Sequence, residues 1–366
     1  MNHPERGSMV RAKRATLKSI ASDLGVTHTS VSNAYNNPAK VSKELRERIF
    51  AHARAVHYDG PHPAARSLRT GRCGAIGVVF NDPLSYAFTD PHDLAFLRGI
   101  STVCEEEGAN LVLIPLNARE PERLDTLTAM VDGYIFNAPY RSHPAIRKAL
   151  ARGLPTVVVD FDAPDHASVL TNDREMMRTV VAHLLALGHT KVAIVTFPHA
   201  EGWGEIVALD ADFSDENYVV HERVMGCREA FDAAGIAQGG ILVCETMNSE
   251  EGGRSAVDRL LERRPDLTAL ACFSDRLAFG AVAQCEARGL PVPNRMSVTG
   301  FDGIDPPGGR AGAPELTTVR QNALEKGRRA AEFLLREDRA RPAQISIAAT
   351  FVNGRTSATA WGASGR

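Results

Sequence analysis

Residues 16–36 read TLKSIASDLGVTHTSVSNAYN, and this stretch decides the fold of the N-terminal part of the chain. Four apolar residues recur at i, i+3, i+4 and i+7, on one face of a helix: Leu17, Ile20, Ala21 and Leu24. Thr16 can cap the start of this helix, and Gly25 can end it because glycine tolerates positive φ. Thr27 can then cap a second helix. Two short helices joined by a tight glycine turn indicate a helix-turn-helix.

The second helix has two faces of different character. At about 100° per residue from His28, the residues within roughly 140° of one another include Thr29, Ser32, Asn33 and Asn36. These side chains are short, uncharged and hydrogen-bonding, and such groups suit base edges in a major groove. The opposite face is small and apolar, and we expect it to pack inward. An ordinary solvated helix face is the alternative interpretation.

The segment after residue 60 has the composition of a hinge. Pro61 and Pro63 break any preceding helix, and residues 64–69 read AARSLR, which is long enough for one helical turn. Such a turn is too short to be stable alone. Arg66 and Arg69 flank Leu68, and an apolar wedge between basic residues fits insertion into a minor groove. A plain interdomain linker is the alternative.

The net charge of −2 over 366 residues conceals an asymmetry. Residues 1–72 hold 13 Lys and Arg against 5 Asp and Glu, a net +8, which leaves −10 for the remainder. The overall composition, 44% apolar and 23% charged, is ordinary for a globular protein of two or three domains. A short basic module joined to a long acidic one indicates a nucleic-acid partner for the basic part.

Several classes of protein are disfavoured by what the sequence lacks. No stretch approaches the ~18 apolar residues of a membrane helix. No apolar run with a small-residue cleavage site follows the basic N-terminal residues, so we expect no secretory signal peptide. The six cysteines form no C-x-x-C pair and indicate buried thiols in a reducing cytosol, and no metal-ligand spacing is present. G-x-S-x-G, G-x-x-x-x-G-K-[ST] and post-strand G-x-G-x-x-G motifs are missing. We expect a cytoplasmic protein without membrane contact, metal, cofactor or catalysis.

The remainder alternates apolar runs with helical patterns. Runs that predict buried parallel strands lie at 75–80, 110–115, 133–138, 155–161, 192–197, 270–273 and 297–301. This alternation predicts an α/β fold, and about 290 residues exceed one such sheet, so two lobes are expected. Ligands bind beyond the carboxyl ends of strands, where Asn81–Phe88, Asn137, Asp160, Ser274/Asp275 and Asp302 lie. Asp302 is the strongest candidate, and a structural turn aspartate is its alternative.

The N-terminal segments resemble the LacI/GalR family of bacterial transcription regulators. TLKSIASDLGV, SVSNAYN, VSKELRERI and AARSL match the family's DNA-binding headpiece and hinge in order. The resemblance implies that His28, Thr29 and Asn33 read the major groove and that Leu68 enters the minor groove. Asn33 departs from the Arg of many members, which changes the preferred base from guanine to adenine. The DNA-binding candidates are Thr16, Thr27, His28, Thr29, Ser32, Asn33, Asn36, Arg66 and Leu68.

The later segments resemble the same family's effector domain, which is similar to periplasmic sugar-binding proteins. The matching stretches include LALGHTKVAIV, RVMGCREAFDAAGI and LTTVRQNALEKGRRAAEFLL. Carried over by motif, the effector-binding candidates are Tyr86, Phe88, Asp160, Arg223, Met247, Ser274 and Asp302. The segment 198–222 is longer than in typical members, and its Trp203 either stacks on a sugar ring or packs the loop against its lobe.

The sequence therefore predicts an all-α helix-turn-helix headpiece followed by an α/β two-lobed, periplasmic-binding-protein-like effector domain with parallel sheets. We assign 1–15 to a disordered basic tail, 16–60 to the DNA-binding domain and 61–73 to the hinge. The N-lobe comprises 74–172 and 321–338, and the C-lobe comprises 173–320 and 339–366. The expected partners are double-stranded operator DNA, a sugar or nucleobase-like effector and a second copy in a homodimer. A periplasmic-type solute receptor is the alternative function, but it would need a signal peptide and no residues 16–69.

Overall fold

The computed structural model describes residues 15–60, 67, 71–81, 83–115, 129–151, 153–200, 204–306, 314–336 and 343–360. The chain folds as two compact units, Met1–Cys73 and Gly74–Arg366. The predictions for Arg66, Leu68, Trp203 and nearly all of the tail 1–15 lie outside the described residues. No helix in the described part of the chain is long and apolar enough to span a bilayer.

The described part of the first unit includes three α-helices of eight or more residues: α1 (Leu17–Leu24), α2 (His28–Asn36) and α3 (Lys43–Ala55). Thr16 caps α1 through a reciprocal pair of hydrogen bonds with Ser19, and Gly25 ends α1 at φ 63°. Thr27 caps α2 by accepting from the Ser30 amide at 3.0 Å. These local signals form the glycine turn, which brings the apolar faces together. The core is Ile20, Ala21, Val31, Ala34, Ile49 and Ala53.

The second unit begins with an α/β lobe around a six-stranded parallel sheet, which we call the N-lobe. Its strands are β1 (Ala75–Phe80), β2 (Asn110–Pro115), β3 (Tyr134–Asn137), β4 (Thr156–Val159), β5 (Ala167–Thr171) and β12 (Gln344–Ile347). Their order across the sheet is β12-β5-β4-β3-β1-β2. Its helices are α4 (Leu84–Ala87), α5 (Pro91–Glu107), α6 (Pro144–Ala151) and α11 (Ala323–Leu335). Each strand except the edge strands β2 and β12 is nearly continuously buried, as expected for a sheet covered by helices.

The C-lobe contains a five-stranded sheet of order β10-β9-β6-β8-β7, in which only β7 is antiparallel to its neighbour. Its strands are β6 (Val192–Thr196), β7 (Ile206–Ala208), β8 (Leu242–Glu245), β9 (Ala269–Cys272) and β10 (Ser297–Thr299). Its helices are α7 (Asp173–Ala186), α8 (Tyr218–Ala233), α9 (Glu250–Arg263) and α10 (Asp275–Ala287). A small antiparallel ribbon of β11 (Thr318–Arg320) and β13 (Thr350–Val352) packs against α7.

One predicted boundary is wrong. The assignment of 339–366 to the C-lobe fails at β12 (Gln344–Ile347), which pairs in parallel with β5 of the N-lobe sheet. The chain therefore completes the N-lobe sheet before it crosses to β13. The sequence does not predict this strand, because β12 lies at the sheet edge and its residues alternate between exposed and half-buried, without a continuous apolar run.

Candidate functional site

A cavity of about 640 Å³ opens within the second unit where the strands of both lobes end. Several of the residues that line it lie within two residues of the end of a strand: Asn81, Ala138, Asp160, Phe197 and Ser274. Helix α8 adds Arg223, and the link between β11 and α11 adds Gln321. Because both sheets direct their carboxyl ends to the same space, the lobes present polar loop residues to a single ligand.

Six of the seven effector candidates line this cavity: Tyr86, Asp160, Arg223, Met247, Ser274 and Asp302. The seventh, Phe88, does not line the cavity and is 55% exposed. The short helix α4 explains the difference, since Phe88 ends that helix while Tyr86, two residues earlier, faces the cavity.

A buried ion pair of the N-lobe begins a hydrogen-bonded chain that reaches the C-lobe beside the cavity. The Lys326 ammonium donates to both carboxylate oxygens of Asp160 at 2.7 and 2.8 Å and to Oε1 of Gln321 at 2.6 Å. Nε2 of Gln321 in turn donates to Oδ1 of Asp302 at 2.7 Å. Asp160 follows β4 in the N-lobe, and Asp302 follows β10 in the C-lobe. A continuous hydrogen-bonded chain therefore links the two lobes.

Arg223 is buried and donates two hydrogen bonds to neighbouring residues. Its Nε donates to Asp173 at 2.7 Å, its Nη1 donates to the carbonyl of Phe273, and its guanidinium lies 3.6 Å from the centroid of the Phe301 ring. Burial raises the pKa of Asp173, although the charge of Arg223 opposes this. The Arg223 guanidinium therefore lines the cavity, and its positive charge is balanced by the Asp173 carboxylate.

Three cavity residues near the start of α5 and the end of β3 form a second polar group that sequence reasoning only partly found. Nδ2 of Asn137 donates to Asp93 at 3.1 Å, and burial raises the pKa of Asp93. His92 Nε2 is buried without a hydrogen-bond partner among the described residues. Burial opposes the charged ring, but the Asp93 carboxylate and the charge of Asp302 raise the pKa of His92 overall. His92 therefore retains hydrogen-bonding capacity for a ligand.

The lobes contact each other at one rim of the cavity through Tyr86. Asn248 of the C-lobe donates to the Tyr86 hydroxyl at 2.8 Å, and that hydroxyl donates to Asp90 at 2.7 Å. Arg276 of the C-lobe lies 4.9 Å from the centroid of the Tyr86 ring and 3.4 Å from Asp90. Ser274 donates to Asn248 at 2.5 Å, which fixes the amide of Asn248.

A second set of contacts across the lobes, which we call the clasp, comprises Arg141, Ser142, Asp215 and Glu216. The Ser142 amide donates to the Glu216 carboxylate at 2.8 Å, and the Arg141 amide donates to the Glu216 carbonyl at 2.9 Å. The Arg141 guanidinium pairs with Asp215 at 3.0 Å. Asp215 and Glu216 belong to the long segment 198–222, which therefore reaches across to the N-lobe.

The long segment is firmly held on the C-lobe. Its strand β7 pairs with β8, and its Phe213 is buried in the C-lobe core beside Arg228 and His199. His199 pairs with the buried Glu245 at 2.5 Å. These contacts make Asp215 and Glu216 an extension of the C-lobe.

A second buried carboxylate lies behind Asp302. Asp275 accepts from the amides of Gly303 and Ile304 at 2.7 and 2.9 Å and from the Thr318 hydroxyl at 2.5 Å. Burial and the neighbouring Asp302 charge raise the pKa of Asp275 to about 7, and burial raises the pKa of Asp302 to about 6. Asp275 therefore organises the loop that carries Asp302.

The cavity is rich in hydrogen-bond acceptors. Its described lining includes the carboxylates of Asp90, Asp93, Asp160 and Asp302 and the guanidinium of Arg223. Arg223 is paired with Asp173, so an anion would compete with that carboxylate for its charge. Among the described residues, no group of three or more His, Cys, Asp or Glu is arranged to hold a metal ion. The arrangement suits an uncharged ligand with many hydroxyl groups.

In the headpiece, the polar face of α2 separates into paired and unpaired residues. Asn36 donates to the carbonyl and the hydroxyl of Ser32 at 3.0 and 3.3 Å. His28 and Thr29 are exposed, and Asn33 makes no side-chain hydrogen bond within the described part of the chain. Thr16 and Thr27 serve as helix caps. Asn33 therefore has both its amide donors and its acceptor available to a base edge.

Comparisons with known proteins agree with this architecture. Residues 181–357 match the model of the periplasmic binding protein-like domain. The chain is 38% identical to the HTH-type transcriptional regulator Rv3575c of Mycobacterium tuberculosis, over 94% of this chain and 97% of that protein.

Two solved structures are similar along most of their length. A LacI-family transcriptional regulator from Corynebacterium glutamicum is 31% identical with a TM-score of 0.66, over 94% of this chain and 98% of that one. A LacI-family regulator from Enterococcus faecium with bound ribose is 27% identical with a TM-score of 0.64, over 78% of this chain and 99% of that one.

Proposed function

This chain belongs to the LacI/GalR family of transcriptional regulators, and on that premise we propose that it binds operator DNA as a homodimer and represses transcription under the control of a small-molecule effector. The observation that carries the proposal is that one chain combines a capped helix-turn-helix with a polar cavity between two lobes. A solute receptor would have no use for the headpiece, so that alternative is disfavoured.

The headpiece supports sequence-specific DNA binding by α2. Its exposed face offers His28, Thr29 and the unpaired amide of Asn33, and an asparagine amide forms a bidentate pair with adenine. Asn36 and Ser32 support the helix internally, so we assign them a smaller part in base reading. The excess of positive charge in residues 1–72 supplies phosphate contacts. We assign the minor-groove wedge to Leu68 and a flanking phosphate contact to Arg66.

The cavity supports an uncharged sugar as the effector. Acceptors from both lobes, Asp160 and Asp302 among them, suit a ligand with several hydroxyl donors. The Enterococcus faecium relative holds ribose, and a cavity of about 640 Å³ has the usual size for a small-molecule site. We assign effector contact to Tyr86, Asp160, Arg223, Met247, Ser274 and Asp302 and leave Phe88 out.

The proposed coupling uses the lobe contacts. A ligand that bonds to both lobes at once favours the arrangement in which the rim and the clasp are formed. Through residues 61–73, the same arrangement sets the affinity of the headpiece for DNA. Because such coupling is reciprocal, operator DNA must change the effector affinity by the same factor.

DNA binding is tested with the purified full chain. Selection from a random duplex pool, followed by fluorescence anisotropy, measures affinity for the selected site and for a scrambled duplex at several salt concentrations. We expect affinity to fall steeply with salt because phosphate contacts release counterions. Leu68→Ala should weaken binding to the selected site and leave the scrambled duplex and the dimer unaffected. Equal affinity of Leu68→Ala and wild type for the selected site would refute the hinge role.

Effector binding is tested by a thermal-shift screen of neutral monosaccharides, disaccharides, sugar phosphates and nucleobases. A ligand of the folded state at about 100 times its Kd adds about 2.7 kcal/mol to the free energy of unfolding. We expect a neutral sugar to stabilise the chain and its phosphate ester to be inactive. Stabilisation by a sugar phosphate or by a nucleobase alone would contradict the sugar assignment. Operator anisotropy with the active compound then gives the sign of control.

A further inference from the structure

Lys326 on α11 is a lysine without solvent exposure, at 0% relative accessibility. An ammonium has three donors, and all three are used: two on the oxygens of Asp160 and one on Oε1 of Gln321. Lysine is almost never fully buried unless it is paired, because its charge loses hydration. Its role is therefore to be sought in the groups that it bonds.

Two glycines place Lys326 at this depth. A Cβ on Gly327 would lie 2.1 Å from the carbonyl oxygen of Phe96, and a Cβ on Gly99 would lie 2.0 Å from that of Leu324. Only glycine permits such an approach between the backbones of α5 and α11. This close contact fixes α11, and with it the height of Lys326 relative to the end of β4.

The ammonium determines the orientation of groups that line the cavity, although Lys326 is not among the described lining residues. Because Oε1 of Gln321 accepts from Lys326, its Nε2 must face the other way, where it donates to Asp302 at 2.7 Å. Asp160, held by two bonds, has a backbone φ of 51° that L residues rarely adopt. A single cation thus orients acceptors from both lobes.

We propose that Lys326 is the positioning residue of the effector cavity: it holds Asp160 and Gln321, and through Gln321 also Asp302, in one hydrogen-bonding orientation before the effector binds. The proposal rests on the proposed function in that it takes this cavity as the effector site. The proposal also predicts that the cavity prefers hydroxyl groups to anions. Because Lys326 has no donor left for a ligand, its charge is not available to a phosphate or carboxylate, and the wall that it organises offers acceptors to hydroxyl groups.

The test uses the side-chain amide of Gln321, one of four glutamines in the chain with Gln238, Gln284 and Gln344. In the full-length protein with 15N-labelled glutamine, NMR measures how fast the Gln321 amide protons exchange with water. Lys326→Met fills the same space without a donor. We expect exchange to accelerate about tenfold or more, as for the loss of a hydrogen bond to a charged group. Lys326→Arg retains charge and donors and should keep exchange slow.

The outcomes are decisive in each direction. Slow Gln321 exchange in a folded Lys326→Met protein would overturn the proposal, because space filling alone would then hold Gln321. If Lys326→Met fails to fold because Asp160 has lost its cation, Lys326→Met/Asp160→Asn removes that charge, and fast exchange is again expected. Lys191→Met, which alters an exposed lysine paired with Asp266, is the matched control and should leave Gln321 unchanged. None of these readouts requires an effector, so they are independent of the sugar screen.

Discussion

Removing the Glu216 side chain tests whether the clasp stabilises the contact between the lobes. In Glu216→Ala the Ser142 amide loses its 2.8 Å charge-assisted acceptor, while the bond from the Arg141 amide to the Glu216 carbonyl is kept. Hydrogen bonds to charged groups contribute about 1.5–3 kcal/mol, and solvent reduces this at a half-exposed carboxylate to about 1 kcal/mol. A change of about 1 kcal/mol shifts an opening equilibrium about fivefold.

Hydrogen exchange followed by mass spectrometry measures this opening without an effector. We expect peptides that contain Ser142 to exchange about fivefold faster in Glu216→Ala than in wild type, since exchange follows the population of the opened form. Glu286→Ala removes an exposed carboxylate of the same lobe and is the control. If Ser142 exchanges equally in wild type and Glu216→Ala, or if Glu286→Ala accelerates it as much, the clasp does not hold the lobes together.

Two further predictions concern the base contact and the buried carboxylates. Asn33→Ala should weaken binding to the selected operator by about 1–3 kcal/mol and remove the discrimination between bases at one position, which anisotropy on single-base-pair variants of the operator measures. An equal loss of affinity for all of these variants would indicate a phosphate contact instead. The pKa values of Asp275, about 7, and Asp302, about 6, lie above the ordinary aspartate value, so between about pH 4 and 7 the folded chain binds more protons than the unfolded chain. These groups make the free energy of unfolding fall as the pH rises through that window. Asp275→Asn, whose amide oxygen can still accept from Gly303 and Ile304, should flatten this pH dependence in urea titrations. An unchanged pH dependence would contradict the raised pKa of Asp275.

The headpiece was the most predictable part of the molecule because its signals are local. Thr16, Gly25 and Thr27 act within one turn of the residues that they cap, and the structure places all three as the sequence predicts. The apolar stripe of α1 contributes Ile20 and Ala21 to the core, as its spacing requires. Even here, the bond from Asn36 to Ser32 was missed, since helical spacing places both on the polar face without showing that they pair.

From the residues alone, the cavity was predictable only at strand ends. Ser274 and Asp302 come directly after apolar runs and Asp160 lies near the end of one, so the rule for strand ends places them at the cavity. The family resemblance added Arg223 and Met247, which no pattern of strands indicates. Lys326 has no such signal. It lies within LEKGRRAAEFLL, where a lysine beside two arginines is typical of a solvated helix face. Its burial depends on a partner 166 residues away and on the close approach of two helices, which no local pattern reveals.

The cations near the cavity bear on which ligand the cavity can accept. Arg223 is paired with Asp173, Lys326 with Asp160, and Arg276 lies beside Asp90. An anion would have to compete with a carboxylate already in place, at the cost of leaving that carboxylate buried and unpaired. A hydroxyl group only has to donate to oxygens that still have free lone pairs. Because those oxygens belong to both lobes, the proposed sugar would bond to both lobes at once. We therefore expect its binding to stabilise the lobe contacts and, in the proposed coupling, to change the affinity for DNA.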